Sequence, residues 1–490
     1  MPKRGIRLGL AAAVWFGALS RAAHDLWAAT ALFAWLSVLA VLFMWGNSRE
    51  KASVKAPLAP ALLLWAGAAV LSMTRSYDAN TTSLEIAVWL FCLLFFGLFV
   101  NSAENEAERD EFFTAAGASA VPVGLIAAWQ WFTAVSDRAE IHATLINSSL
   151  MAGFALCWIF FFGRNALVRR RLVLPFAACL ALLLVARSWW AYVSLCAGLV
   201  YFFRVRAREL ARRRPAEAAA LASAAAVVFA AVVFLKVRVH SGPFVGAARL
   251  YYWRAALAMF ASHPSTGVGL GGYQTAYPFF RGDYGGSQNT LFAHDFPLQL
   301  LAETGIAGAV AAAAAAWSVA RSVRPADAER DVWGATLTAL LCFGLTSIFF
   351  EFFLSKLLLM VLLGSLVGGA EVPKFKLRPL WAAAAAAGLA LVSVFWLRPL
   401  AASRLLVSGF DQERAGNSPG AEKLYRDAAG LDPTLADADW ALYRLERARY
   451  ESSHSPEDLR RASGDLLVAI RLKKSTVFLA EAAALQRATR

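Results

Sequence analysis

Residues 249–308 read RLYYWRAALAMFASHPSTGVGLGGYQTAYPFFRGDYGGSQNTLFAHDFPLQLLAETGIAG. This is the longest polar interruption between two hydrophobic spans in the first 400 residues. It gathers arginines, His263, His294, a glycine cluster and many aromatics. On both sides the chain is built of apolar runs about as long as a bilayer is thick, the mark of transmembrane helices. A helix satisfies its own backbone groups, which lipid cannot do. The fold class is therefore all-α: a polytopic membrane helix bundle of about 12–13 spans, a large polar loop at about 237–295 and a soluble helical tail. Spans are expected at about 6–20, 26–45, 58–73, 84–100, 112–134, 146–163, 172–186, 189–203, 217–236, 296–320, 331–350, 352–370 and 380–397.

Composition agrees. Of 490 residues, 59% are hydrophobic, and the mean hydropathy is +0.52, whereas soluble domains lie near half apolar. The net charge of +14 does not point to nucleic acid, because the excess sits in short connections between spans. Lys3, Arg4 and Arg7, then Arg49, Lys51 and Lys55, then Arg164 and Arg169–Arg171, fall on one face when the spans are counted in order. Arg204–Arg214, Arg321–Arg330 and Lys374–Arg378 join them, and the segment 101–111 is the weakly basic member of the set. The positive-inside bias makes that face cytoplasmic. Arg187, the 237–295 loop and the tail then lie on the other face, the periplasmic side of a bacterial inner membrane. The first span follows basic residues but has no clear cleavage site, so it is expected to be retained. The five cysteines fall inside apolar runs, as small core hydrophobes with no metal-site or disulfide spacing.

The chain divides into a membrane domain, 1–399, and a tail, 400–490. In the tail Gly409, Ala421, Tyr425, Ala428 and Pro433 sit at the offsets of the 34-residue tetratricopeptide pattern. A weaker second copy runs over Trp440, Ala462, Leu466 and Ala469. Such repeats are antiparallel helix pairs that commonly bind proteins, so the tail is expected to lean on the membrane domain or on a protein partner.

Few residues can carry chemistry. Arg187 ends a span, where a guanidinium needs a cavity, a partner or an anion; an interfacial arginine snorkelling beside Trp189 and Trp190 would read the same way. Arg249 opens R-L-Y-Y-W, and a guanidinium fork suits a phosphate; Arg254 and Arg281 are rivals for that role. His294 lies just before a span and could take a proton from a hydroxyl near neutral pH. Asp295 after it also reads as a helix N-cap. His263, before Pro264, shapes a turn. Gly267, Gly269, Gly271 and Gly272 lack the strand–turn–helix setting of a dinucleotide site. They read as a bend, or as a turn that aims N–H groups at an anion. Glu351 and Lys356 lie at or inside the apolar layer, where pairing with each other or with polar cavity walls is expected.

Together these residues resemble the O-antigen ligase family, also called Wzy/WaaL-like polymerases and ligases. The resemblance rests on Asn147 at a span start, Arg187 at a span end, and Arg249 before Trp253. It rests further on His263-Pro264-x-x-Gly267-x-Gly269, and on His294 leading into Leu298-Gln299-Leu300-Leu301-Ala302-Glu303-Thr304-Gly305 and Gly308. It covers about residues 1–370. Ala186 and Asp295 depart from the serine and asparagine common in the family; a carboxylate at 295 would favour the imidazolium form of His294.

The resemblance implies a donor glycan on undecaprenyl diphosphate, an acceptor hydroxyl on lipid, glycan or protein, and no nucleotide sugar, cofactor or metal. It implies catalytic roles for Arg187, Arg249 and His294, with Arg254, Arg281, Trp253, Asn147 and Asp295 around the substrate. Three readings stay open: a ligase for a finished glycan, a repeat-unit polymerase, and a transporter or scaffold of polysaccharide export.

Overall fold

Apolar runs closed by capping residues give helices along most of the chain in the computed structural model. It describes residues 3–50, 53–133, 141–166, 168–217, 245–282, 290–322, 328–367, 374–376 and 395–488, with isolated positions at 219 and between 384 and 392. The membrane domain contains α1 (Lys3–Leu19), α2 (Leu26–Glu50), α3 (Ala59–Ser72), α4 (Ala79–Ser102), α5 (Glu106–Gly117), α6 (Ala120–Thr133), α7 (Ser148–Ala166), α8 (Val173–Ala186) and α9 (Trp189–Arg213). It continues with α10 (Val245–Ser262), α11 (Tyr273–Phe280), α12 (Phe296–Ser322), α13 (Ala328–Gly344) and α14 (Phe353–Val367). Two short strands, β1 (Ser53–Lys55) and β2 (Lys374–Lys376), pair antiparallel.

Among the described residues, five helical stretches are long and apolar enough to cross a membrane: Leu26–Ser48, Ala79–Ser102, Glu106–Thr133, Ser148–Ala166 and Phe296–Arg321. Three shorter apolar helices accompany them, at Ala59–Arg75, Asp331–Gly344 and Phe353–Val367. The expected span at 217–236 lies almost wholly outside the described residues, and that at 380–397 largely does. Large apolar side chains such as Leu63, Phe132, Val200 and Trp317 face outward, as a lipid-facing surface requires. Inside, aromatic stacks such as Phe113 on Trp333, with ring centroids 3.9 Å apart, join helices distant in sequence.

Several of the basic connections gather on one face. There β1 meets β2, and the acidic α5 region collects the bases. Arg7 is almost wholly buried and pairs with Glu108 at 3.0 Å and Glu111 at 2.7 Å. Lys3 and Lys55 pair with Glu104, and Arg169 with Asp110. Segment 101–111, with five carboxylates against Arg109, departs from the basic pattern of the set and is the carboxylate hub of that face. On the other face the ring of His24 meets Phe352, and Thr144 donates to the Ala18 carbonyl.

The tail contains α15 (Leu397–Arg414), α16 (Ser418–Leu431), α17 (Ala436–Ser453), α18 (Pro456–Leu472) and α19 (Thr476–Ala488). Ala421, Tyr425 and Ala428 pack with Ala402 and Leu406 in one small core. Ala462, Leu466 and Ala469 pack with Tyr443 and Phe478 in another. The tail rests on the membrane domain: the side chain of Asn80, at the start of α4, donates to Asp432 at 2.9 Å and Thr434 at 3.1 Å.

Candidate active site

The site is built from α10 and the start of α12. On α10, Arg249 and Tyr252 are three residues apart and so share a face. Arg249 is half-buried and lies 6.0 Å from the ring centroid of Trp190, in the first turn of α9. The ring of His294 stacks on Tyr252, centroids 5.7 Å apart and planes 25° off parallel. Burial, with the Arg249 charge as second cause, pushes His294 down to about 4. Its imidazole is therefore neutral at cell pH and able to accept a proton. The same burial draws Arg249 below the usual arginine value.

His294 is held in a strained conformation. Its φ is 57°, in the left-handed region, which a non-glycine residue keeps only when its surroundings enforce it. Those surroundings come from the first turns of α12. Asp295 accepts from the Leu298 N–H at 2.8 Å and so caps the helix. Gln299 accepts from the Ala293 N–H at 2.6 Å and donates to Glu303 at 2.7 Å. Glu303, buried, also accepts from the backbone N–H of Gly271 at 2.9 Å and of Tyr273 at 3.3 Å. The Gln–Glu pair four residues apart thus ties the approach to His294 to the glycine loop.

That loop and α12 interlock through two glycines. Gly305 (φ 62°, ψ −157°) breaks the α12 ladder in a conformation open essentially to glycine alone. The freed carbonyls of Ala302 and Glu303 accept from Val268 and Gly269, and Ile306 donates to Pro264. A Cβ at Gly267 would lie 2.2 Å from the Glu303 backbone. All four glycine N–H groups are spent within the protein: Gly269 donates to the Glu303 carbonyl and Gly271 to the Glu303 carboxylate, while Gly267 and Gly272 donate to the carbonyls of His263 and Gly269. The alternative in which they are aimed at a ligand anion is corrected accordingly. His263 accepts the Gly267 N–H through its carbonyl at 2.9 Å, which makes it the turn residue expected.

The other expected residues divide. Arg187 ends α8 with φ 48° and lies over Trp131 of α6 at 4.7 Å. Among the described residues no hydrogen bond, ion pair or ring contact joins Arg187 to Arg249 or His294. The two arginines instead flank the Trp189–Trp190 turn. Trp253 is half-buried, and its buried ring nitrogen has no hydrogen-bond partner among the described residues. Arg254 is exposed, and half-buried Arg281 follows α11. Asn147 accepts from the Leu150 N–H at 2.7 Å, so its side chain caps α7. Asp295 does not act as the carboxylate that would charge His294: its side chain is turned to the helix N-terminus, and His294 shifts down rather than up.

A family model described as O-antigen ligase matches residues 174–313. The chain carries an O-antigen ligase domain. That segment holds every candidate site residue except Asn147. A search of curated proteins found no match. The O-antigen ligase domain identifies a ligase- or polymerase-type membrane enzyme.

Beneath the glycine loop the O-antigen ligase domain helps to enclose a polar cavity of about 140 Å³. Its walls include Glu85 and Trp89 of α4, Gln274, Phe292, Gln299, Glu303, Glu351 and Lys356. Lys356, buried, pairs with Glu85 at 2.5 Å and donates to the Glu351 carbonyl at 3.1 Å. Glu85 is thus the partner that the sequence reading missed; an acid inside an apolar run is itself the signal. Trp89, Phe296 and Leu300 also line an apolar groove of about 520 Å³ between α3, α4, α9, α12, α13 and α14.

Proposed function

We propose that the protein is a membrane glycosyltransferase that moves a glycan from undecaprenyl diphosphate to an acceptor hydroxyl on the periplasmic face. The observation that carries this reading is a cation beside a neutral base: Arg249 next to His294, the latter half-buried, strained, and pushed below the usual histidine value by burial and by the Arg249 charge. In the proposed reaction the neutral imidazole takes the proton of the acceptor hydroxyl. The acceptor oxygen bonds to the anomeric carbon as the bond from that carbon to the phosphate oxygen breaks. Arg249, with Arg187 across the Trp189–Trp190 turn, meets the charge growing on the leaving diphosphate.

The apolar groove suits the polyprenyl chain, and the polar cavity that shares three of its residues suits sugar hydroxyls beside Trp89. A single displacement of this kind inverts the anomeric centre. A repeat-unit polymerase would use the same groups, with a lipid-linked glycan as acceptor. Gel analysis of surface glycan in a deletion strain separates the two readings. Accumulated lipid-linked polymer means ligase, single lipid-linked repeat units mean polymerase, and unchanged surface glycan removes both.

A further inference from the structure

The turn from Tyr77 to Asn80 stands between the tail and the glycine loop, and its hydrogen bonds run both ways. Toward the glycine loop, the Tyr77 N–H donates to the Val268 carbonyl at 3.0 Å. Thr82 donates to the Leu270 carbonyl at 2.9 Å, and the Tyr77 ring packs against His263 and Phe280. Toward the tail, the Tyr77 carbonyl accepts from the Lys474 N–H at 2.8 Å. Lys473 forms a backbone bridge with Asp78, its ammonium lies 3.7 Å from the Asp78 carboxylate, and Lys474 sits 4.4 Å from the Tyr77 ring centroid.

One residue therefore gives its N–H to the site and its carbonyl to the tail. The tail hairpins have apolar cores of their own, whereas the hydrogen bonds and ion pair across this junction join polar groups. Docking can then loosen without unfolding either part.

The geometry points to the tail as a positioning part of the transfer site: Lys473 and Lys474 clamp the Tyr77–Asn80 turn, and that turn fixes the glycine loop interlocked with α12 ahead of His294. Undocking the tail slackens the loop and slows transfer, although no tail residue touches substrate. A macromolecule that engages the tail would act on transfer through this junction. The effect on transfer rests on the glycosyltransferase reading; the effect on the loop does not.

The test uses full-length protein in lipid nanodiscs carrying Lys473→Glu with Lys474→Glu, which places two carboxylates against Asp78, Asp437 and the Tyr77 ring. Amide exchange in residues 264–272 should speed up by about tenfold, within the usual range of coupling between sites. Exchange in 418–453 should stay unchanged, and the turnover rate should fall by a similar factor with little change in donor KM. Lys474→Ala alone should move both readouts the same way by less. Asn80→Cys with Thr434→Cys, bridged by a short bis-maleimide in a Cys196→Ser, Cys342→Ser background, should restore slow exchange and turnover. Unchanged exchange in 264–272, or failure of the bridge to restore it, overturns the positioning role. Exchange is read without substrate, so a wild-type protein that transfers nothing would count against the transfer reading alone.

Discussion

Replacing Gln299 by leucine isolates the bond that holds the approach to His294. Leucine keeps much of the side-chain volume, so the loss is of polar partners rather than of packing. The Ala293 N–H, in a residue with no exposed surface, loses its acceptor at 2.6 Å. A buried donor without a partner costs about 1–3 kcal/mol. Glu303 loses one of its three donors but keeps Gly271 and Tyr273. The strained φ of His294 is then less firmly enforced, and the segment relaxes toward a lower-energy backbone. At about 1.4 kcal/mol per factor of ten, the aligned population and the turnover rate fall by about tenfold to a hundredfold. Arg249 is untouched, but Gln299 also lines the polar cavity, so donor KM should rise somewhat while turnover carries the larger loss. The assay is transfer from a labelled lipid-linked glycan by purified protein, with thermal unfolding in detergent as the folding control. A folded Gln299→Leu protein with wild-type turnover would refute the argument, as would a loss confined to KM.

Three further outcomes are expected. Burial lowers His294, so it gains its proton only as pH falls toward about 4; the transfer rate should keep its plateau through pH 6.5 and fail on an acid limb near 4. An acid limb near 6.5, the ordinary histidine value, would contradict the lowering of His294 by its surroundings; the same shift makes the fold lose stability, not gain it, as pH drops from the unfolded histidine value toward 4. Glu85→Gln leaves Lys356 buried without its carboxylate and should cost about 3–5 kcal/mol in thermal or denaturant unfolding, with most of it recovered by adding Lys356→Met; equal stability of the two variants would contradict this. A cysteine in place of exposed Ser418 should react with an impermeant thiol reagent on intact spheroplasts, and labelling only after lysis would reverse the orientation.

Much of the fold was legible because lipid imposes strong rules. Basic residues such as Arg7, Lys55 and Arg169 marked one face, and their partners in 104–111 lie on that face. The Arg249, His294 and glycine-loop motifs were visible as residue types at fixed spacing. Their mutual roles were not. Periodicity does not reveal that Gly305 breaks α12, because the apolar pattern continues through it; only its φ and ψ show why Val268 and Gly269 find acceptors there. Pairs distant in sequence, Lys356 with Glu85 and Asn80 with Asp432, depend on packing that a linear reading does not contain. Asn147 shows the reverse: a residue type suited to substrate contact is occupied in capping α7.

The most direct measurement is transfer of an undecaprenyl-diphosphate-linked oligosaccharide to an acceptor by purified protein carrying Arg187→Ala, Arg249→Ala or His294→Ala, with membrane levels and unfolding temperature matched to wild type. Product should form with the wild-type chain and be lost in each of the three variants. Undiminished product in the Arg249→Ala and His294→Ala proteins would contradict a site built on that guanidinium and that imidazole.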